Sequence, residues 1–454
     1  MAKRDEPLAP QNFRPQLRID RMMGPFHRFV EIEASGGIVL LVATLVALFL
    51  ANTSFNLWYN EFWRQTFKIT MGDAVFEMSL LHLINDGLMT LFFFVVGLEV
   101  KREFTLGEFR SPRAAVFPII GALGGMAIPC LMYFAIEGRG IGARGFAIPM
   151  ATDIAFVVGF LSLLGKRVPH SLKIMLLTLA IVDDMGAVFV IASVYTKGLI
   201  VEYIFVSLGF YLLVFVLNFF GVRRMVPYMI VGGAMWFFLL KSGVHPTVAG
   251  VLLGLAAPSG KLLTREPLVN FLSHFQKYLD EADEDTDAFN FEPLRAAGHE
   301  ANSPLERLES DLHPWVAYLI MPVFALANAG VPVQLIALES GTAWAVILSL
   351  VVGKPLGIFG FGWLAQKARI ASFPDGVTAR VLFAASCLCG VGFTMSIFVA
   401  GLALDGDLLS FAKVGTLIGS ALSACLGLYL LHRFLDRREP EVAETLSSPA
   451  LSAE

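Results

Sequence analysis

The sequence predicts an all-α polytopic membrane protein with twelve transmembrane helices, an inverted repeat and two discontinuous crossing helices, at about 146–164 and 381–404. Three observations predict it. Of 454 residues, 56% are hydrophobic and only 16% charged, against about 25% charged in an ordinary soluble domain, and mean hydropathy is +0.68. The apolar residues fall into runs of membrane-crossing length. Two of those runs carry polar interruptions, with Thr and Gly at matching positions. So few polar residues cannot cover so much apolar side chain in water, which excludes a soluble multidomain protein as well as disorder, collagen and a disulfide scaffold. A net charge of −4 offers no basic field to nucleic acid.

The elements follow in chain order. Residues 1–35 are polar and basic, lack the apolar stretch of a signal peptide, and read as a cytoplasmic tail. The membrane domain occupies 36–435. A bilayer core needs roughly 20 apolar residues per helix, and the candidate spans are 36–53, 81–98, 114–136, 146–164, 174–195, 203–220, 227–240, 244–257, 314–333, 343–365, 381–404 and 414–431. The short pair 227–240 and 244–257 reads either as two spans or as one long hairpin. Taken as two spans, with the N-terminus inside, 26 of the 34 Lys and Arg lie on the inner side, 7 outside and Lys354 within a span. This bias places both termini in the cytoplasm. Outside, residues 67–78 alternate around Met71-Gly72-Asp73 as a β-hairpin that caps a pore or pairs by its edge with another protomer. Inside, 258–312 forms a cytoplasmic insertion whose acidic run Asp280 to Asp287 is a solvated segment. Residues 436–454 read as a disordered C-tail. Cys130, Cys387, Cys389 and Cys425 lie in apolar stretches without metal-ligand spacing, as small buried hydrophobes do. No cofactor is expected.

Of 72 charged residues, five fall inside the spans: Asp86, Asp153, Asp183, Asp184 and Lys354. Each costs several kcal/mol there, roughly 2.5 to 3.5 on insertion scales. Salt bridges that merely pin helices cannot neutralise four acids with one base. At least three carboxylates must be protonated, hydrated or paired with a mobile cation. The sharpest feature is the adjacent pair Asp183 and Asp184. Neighbours on a helix point about 100° apart, so the two carboxylates line different walls of one cavity. A hard cation such as Na⁺ or Li⁺ competes there with H⁺ for the same negative charge. Mutually exclusive binding, combined with alternating access, suffices for exchange.

The two interrupted spans read Pro149-Met-Ala-Thr-Asp-Ile-Ala-Phe-Val-Val-Gly159 and Gly390-Val-Gly-Phe-Thr-Met-Ser-Ile-Phe-Val-Ala-Gly401. At a constant offset of 242, Thr152 matches Thr394, Phe156 matches Phe398, Val157 matches Val399 and Gly159 matches Gly401. Antiparallel copies of this kind are expected of an inverted repeat whose broken helices meet near the midplane. Half-helix ends carry partial charges. Asp153 would compensate facing N-termini. Lys354 would compensate facing C-termini, or pair with Asp183 or Asp184, and the residues leave both open.

At these residues the chain resembles the NhaA-type sodium/proton antiporters, themselves a type case of inverted-repeat transporters. The motifs are Asn85-Asp86-Gly87-Leu-Met, Gly97-Leu-Glu-Val-Lys-Arg-Glu103, Ala151-Thr-Asp-Ile-Ala-Phe156, Val182-Asp-Asp-Met-Gly186, Lys241-Ser-Gly-Val-His245, His313-Pro-Trp-Val-Ala-Tyr318, Ala327-Asn-Ala-Gly330, Gly353-Lys-Pro-Leu-Gly357 and Gly392-Phe-Thr-Met-Ser396. They follow the family's order across about 30–435. The resemblance implies electrogenic exchange of internal Na⁺ or Li⁺ for external H⁺ in the bacterial inner membrane. It makes Asp183 and Asp184 the cation and proton carriers, pairs Lys354 with Asp183, sets Thr152 and Asp153 at the crossing, and marks Asp86 as a further functional acid. It implies pH gating through Glu99, Lys101, Arg102, Glu103, Glu309 and His313, with His245 tuning the response, and a homodimer joined through 67–78. One departure stands out: Leu308-Glu309-Ser310-Asp311 carries serine where better-known members have histidine, which puts the pH response in question. The insertion at 258–312 also looks longer than in compact members.

Two other classes fit less well. Intramembrane aspartic proteases place their aspartates on separate helices, one within Gly-x-Gly-Asp, and Leu404-Asp-Gly-Asp407 does not match. A sodium-coupled symporter of organic anions would want an arginine in a span to clamp a carboxylate, and the spans hold none.

Overall fold

Backbone polar groups inside a bilayer must satisfy one another, so apolar runs of membrane length become helices. The computed structural model describes residues 35–435 except 72–73, 111, 197, 223–224, 261–264, 282–290, 302, 334–336 and 338. The tails expected before Ser35 and from 436 onward lie outside the described residues, as does the acidic run after Glu281.

Helix α1, Ser35–Ala51, ends where Asn52 donates its side-chain amide to Leu48 O at 2.8 Å and to Val331 O at 2.9 Å. Helix α2, Asn56–Arg64, then turns away by 113°. Strands β1, Thr66–Met71, and β2, Ala74–Ser79, pair antiparallel from Thr66↔Ser79 to Met71↔Ala74, forming the hairpin expected at 67–78. Its turn residues Gly72 and Asp73 lie outside the described set. Ser79 accepts the His82 N–H and so caps α3, Leu80–Thr105, which contains a π-helical turn at Leu83–Leu88. Helix α4 is Pro112–Glu137. A 3₁₀ segment, Ile141–Ala147, leads through an extended stretch at 151–153 into the ten-residue α5, Ile154–Leu163. Next come α6, His170–Val194, α7, Val201–Phe219, α8, Met225–Ser242, and α9, Thr247–Ala256. Gly243, at φ +86, sits between α8 and α9, so the short apolar pair is two helices rather than one.

The insertion contains α10, Arg265–Glu281, and α11, Glu292–Ala301. Helix α12, Pro304–Trp315, opens with a capping box between Ser303 and Glu306 and passes through a π turn, Val316–Ile320, into α13, Met321–Asn328. Helix α14, Gly341–Lys367, has its own π turn at Ser349–Gly353. Helices α15, Ala379–Leu388, and α16, Phe393–Ala403, are two halves bent by 50°, and α17, Gly406–Phe434, closes the chain.

Each of the twelve expected segments contains helix. By length and composition, seven described helices can cross a bilayer unaided, or nine if each of the two bent pairs is one span. Reaching the expected twelve would take shorter pieces as well. The ten residues of α5 and of α9 each rise about 15 Å, half of a bilayer core of about 30 Å.

Glycine permits the closest helix contacts. A Cβ at Gly250 would lie 2.2 Å from Thr90 O, where α9 meets α3. One at Gly357 would lie 2.1 Å from Gly124 O, where α14 meets α4. Small residues at such seams let backbones approach and replace the hydrophobic drive that lipid does not supply. One continuous core, including Leu179, Ile181, Leu350, Val391 and Phe398, encloses the two broken helices.

Candidate ion-binding site

Pro149 and the turn before it stop regular hydrogen bonding, and residues 151–153 become extended just where 389–392 interrupt the second broken helix. The two breaks are hydrogen-bonded to each other. The Asp153 N–H donates to Val391 O at 2.8 Å, and the Ser396 hydroxyl donates to Ile148 O at 2.7 Å. The Asp153 carboxylate accepts the Phe156 N–H at 3.4 Å from the start of α5 and the Thr394 N–H at 3.0 Å from the start of α16, together with the Thr394 hydroxyl. One buried acid therefore caps two helix N-termini, the compensation expected of it. Thr394 is a site residue that the sequence marked only as the repeat partner of Thr152.

Lys354 stands immediately after the π turn of α14 and is fully buried, as are Thr152, Asp183 and Asp184 to within 1%. Its Nζ donates to Asp183 Oδ2 at 2.6 Å and to Thr152 Oγ1 at 2.9 Å. The Thr152 hydroxyl, with one proton, faces Asp183 Oδ2 at 2.9 Å and Cys389 O at 3.1 Å. Of the two roles left open for Lys354, the geometry contains the pairing with Asp183. Helices α5, α6, α14 and the second break thus converge on one cluster. The backbone carbonyl of Cys389 belongs to it, a contribution that no side-chain pattern discloses.

The remaining valences matter most. Asp183 Oδ1 and Asp184 Oδ1 are buried and hydrogen-bond to nothing among the described residues. Such a group costs about 1–3 kcal/mol, more when charged. Asp184 also feels the charges of Asp183, Glu99 and Asp153. No three His, Cys, Asp or Glu side chains among the described residues converge as a resident metal site would require. A cation bound here would be held by two aspartates with neutral oxygens such as that of Thr152, an all-oxygen set suited to a hard ion.

The other candidates form two separate groups. Asp86, on the π turn of α3, lies 3.7 Å from His245 Nε2, and its backbone carbonyl accepts the Trp236 indole N–H at 3.1 Å. The His245 ring stands edge-on to Phe398 of α16, centroids 5.5 Å apart, so this pair abuts the second broken helix without joining the aspartate cluster. At the far end of α3, Arg102 bonds Glu309 of α12 and lies 3.6 Å from Glu103. Burial raises the Glu309 carboxyl above the usual glutamate range, and the Arg102 guanidinium pulls it partly back. Glu99 precedes Arg102 by one turn, and His313 follows Glu309 by one turn on α12 beside Ser310. Lys101 makes no ion pair in this group; its carbonyl accepts the Thr105 hydroxyl at 2.9 Å.

Residues 27–431 match the family described as Na⁺/H⁺ antiporter 1. Among curated relatives, the chain is 47% identical to the Na⁺/H⁺ antiporter NhaA of Rhodopirellula baltica, across 92% of this chain and 96% of that one. It is 43% identical to Na⁺/H⁺ antiporter NhaA 2 of Vibrio vulnificus, across 93% and 95%, and 43% identical to the NhaA of Oleidesulfovibrio alaskensis, across 94% and 97%.

Proposed function

This chain belongs to the Na⁺/H⁺ antiporter 1 family, and we propose that it exchanges intracellular Na⁺, or Li⁺, for extracellular H⁺ across the bacterial inner membrane. It is a transporter and not an enzyme. The observation that carries the reading is the pair of buried carboxylate oxygens on Asp183 and Asp184, without a hydrogen-bond partner among the described residues, beside Lys354 at the crossing of two broken helices. Two acids and one base leave a surplus negative charge in a low-dielectric site, where a proton and a hard monovalent cation are alternative neutralisers.

In the cycle, the cation takes the free oxygens of Asp183 and Asp184 and replaces Lys354 as the partner of Asp183. On the opposite face protonation displaces the cation. Occupancy is mutually exclusive, so alternating access alone couples the two fluxes. More than one proton per cation makes the cycle electrogenic. Asp153 and Thr152 hold the crossing in register while the site changes sides, the two breaks acting as halves of an inverted repeat. Asp86 with His245, and Glu99, Lys101, Arg102, Glu103, Glu309 and His313 at the inner end, set the pH response. The excess of Lys and Arg on one side supports cytoplasmic termini. The unpaired edges of β1 and β2 support a homodimer through 67–78.

The test is sodium-induced proton movement in proteoliposomes loaded with a pH-sensitive dye. Sodium or lithium should collapse an imposed pH gradient with no organic substrate present, and Asp184→Asn should abolish the signal. Full exchange in that variant, or none in the parent chain, overturns the assignment.

A further inference from the structure

Residues 258–312 leave the membrane domain after α9 and return at α12, and the exchange cycle uses only their last turns. Helix α10 sets Leu268, Phe271, Leu272, Phe275 and Tyr278 at spacings of three and four. This gathers them on one side, opposite Asn270, Ser273, His274 and Lys277. The Ser273 hydroxyl and His274 Nδ1 reach the Asn270 carbonyl at 2.8 and 2.7 Å. Helix α11 covers the apolar side only in part. The Phe275 and Phe291 centroids are 6.2 Å apart, yet Leu272 and Tyr278 remain 45% and 49% exposed. Among the described residues, the broad helix packing of α10 is with α11 alone.

The tethers limit where this face can sit. From Ala256 to Arg265 the chain reaches at most about 30 Å, and from Ala301 to Pro304 about 10 Å. The Leu305 N–H also donates to Pro258 O at 3.1 Å, pinning the two stems together at the end of α9. The hairpin is thereby held near the end of α9, a helix of the apolar membrane domain. We propose that α10 and α11 lie in the plane of the membrane, with Phe271, Leu272, Phe275 and Tyr278 seated at the headgroup–acyl boundary. Helix α10 carries Arg265 and Lys277 against Glu266, Asp280 and Glu281, so attraction to anionic lipid is not the drive. Apolar and aromatic contact with a zwitterionic surface is.

The test places a nitroxide at Leu272→Cys or, on the opposite face, at Ser273→Cys in the full-length chain, with the four native cysteines changed to alanine. The protein is reconstituted in phosphatidylcholine vesicles. Accessibility is read by electron paramagnetic resonance, using oxygen for lipid and a nickel chelate for water. The ratio of oxygen to nickel access should be several-fold higher at 272 than at 273, and a further Phe275→Asp change should turn site 272 aqueous. Equal aqueous access at both sites overturns the proposal. Shielding of 272 from both reagents overturns it in favour of docking on protein, such as a second copy. This readout does not depend on ion exchange, so it stands or falls separately from the transport reading.

Discussion

Lys354 and Asp183 show how much one contact can decide. The pair is fully buried at 2.6 Å, and removing one partner of such a pair typically costs about 3–5 kcal/mol because the other charge is stranded. Lys354→Met should therefore lower the melting temperature in detergent. Lys354→Met combined with Asp183→Asn should restore much of the loss; strict additivity in that double-mutant cycle would show that the two do not interact. Asp153 makes a different prediction, since it caps two helices. Asp153→Ala should cost about 0.5–2 kcal/mol for each cap, whereas Asp153→Asn keeps an acceptor and should cost less by the same melting assay. The acids and the base of this cluster were legible from sequence because charge inside an apolar run is rare. Thr394 and the Cys389 carbonyl were not, because a hydroxyl in a membrane helix is common and a backbone oxygen leaves no trace in residue identity.

At the scale of elements, the helix seams and the Arg102–Glu309 link between α3 and α12 carry the argument. Gly250→Val would drive side-chain atoms into the Thr90 carbonyl, and overpacking of this kind costs about 1–3 kcal/mol or more. Melting should fall accordingly, while the same change at Gly233, which faces open space, should be nearly silent. For the α3–α12 link the sign follows from burial. The Glu309 carboxyl sits above its unfolded value, so its contribution to stability is present below about pH 4.5 and is lost as pH rises through the folded value. Arg102→Met removes the opposing charge and raises that carboxyl further. The stability gap between variant and parent should widen as pH rises from 4.5 to 8 in melting curves; a constant gap would refute the coupling. The breaks at 151–153 and 389–392 were readable from Pro149 and the clustered Gly, Thr and Ser. The three π turns were not, since a single extra residue per turn has no composition of its own.

At the scale of the whole molecule, β1 and β2 pair with no third strand among the described residues, and open edges of this kind are a ready template for pairing with another copy. If the proposed homodimer forms through this hairpin, the parent chain should be dimeric and deletion of residues 67–78 should leave a monomer, measured by light scattering with the detergent contribution subtracted. Sodium-induced proton movement per chain should survive, because no residue of the candidate ion site lies in the hairpin. A chain that stays dimeric would place the interface elsewhere. The uneven share of charge between alternate loops was legible as a count of Lys and Arg, while the number of true crossings was not. Helices α5 and α9 are too short to be judged by length, and only their packing shows how they fit.

By itself the sequence determined that this protein lives in a bilayer, that its Lys and Arg divide unevenly between alternate loops, and that four acids and one base fall within its apolar runs. These are properties of composition and of position along the chain, fixed by the cost of placing charge and bare backbone in hydrocarbon. Only the tertiary structure decided the partners: Lys354 with Asp183 rather than Asp184, Asp153 with two helix starts, and Asp86 with His245 apart from the main cluster. The reason is that pairing energies depend on distances of a few ångströms between residues tens or hundreds apart in sequence. Those distances come from how glycine-lined seams let the helices close.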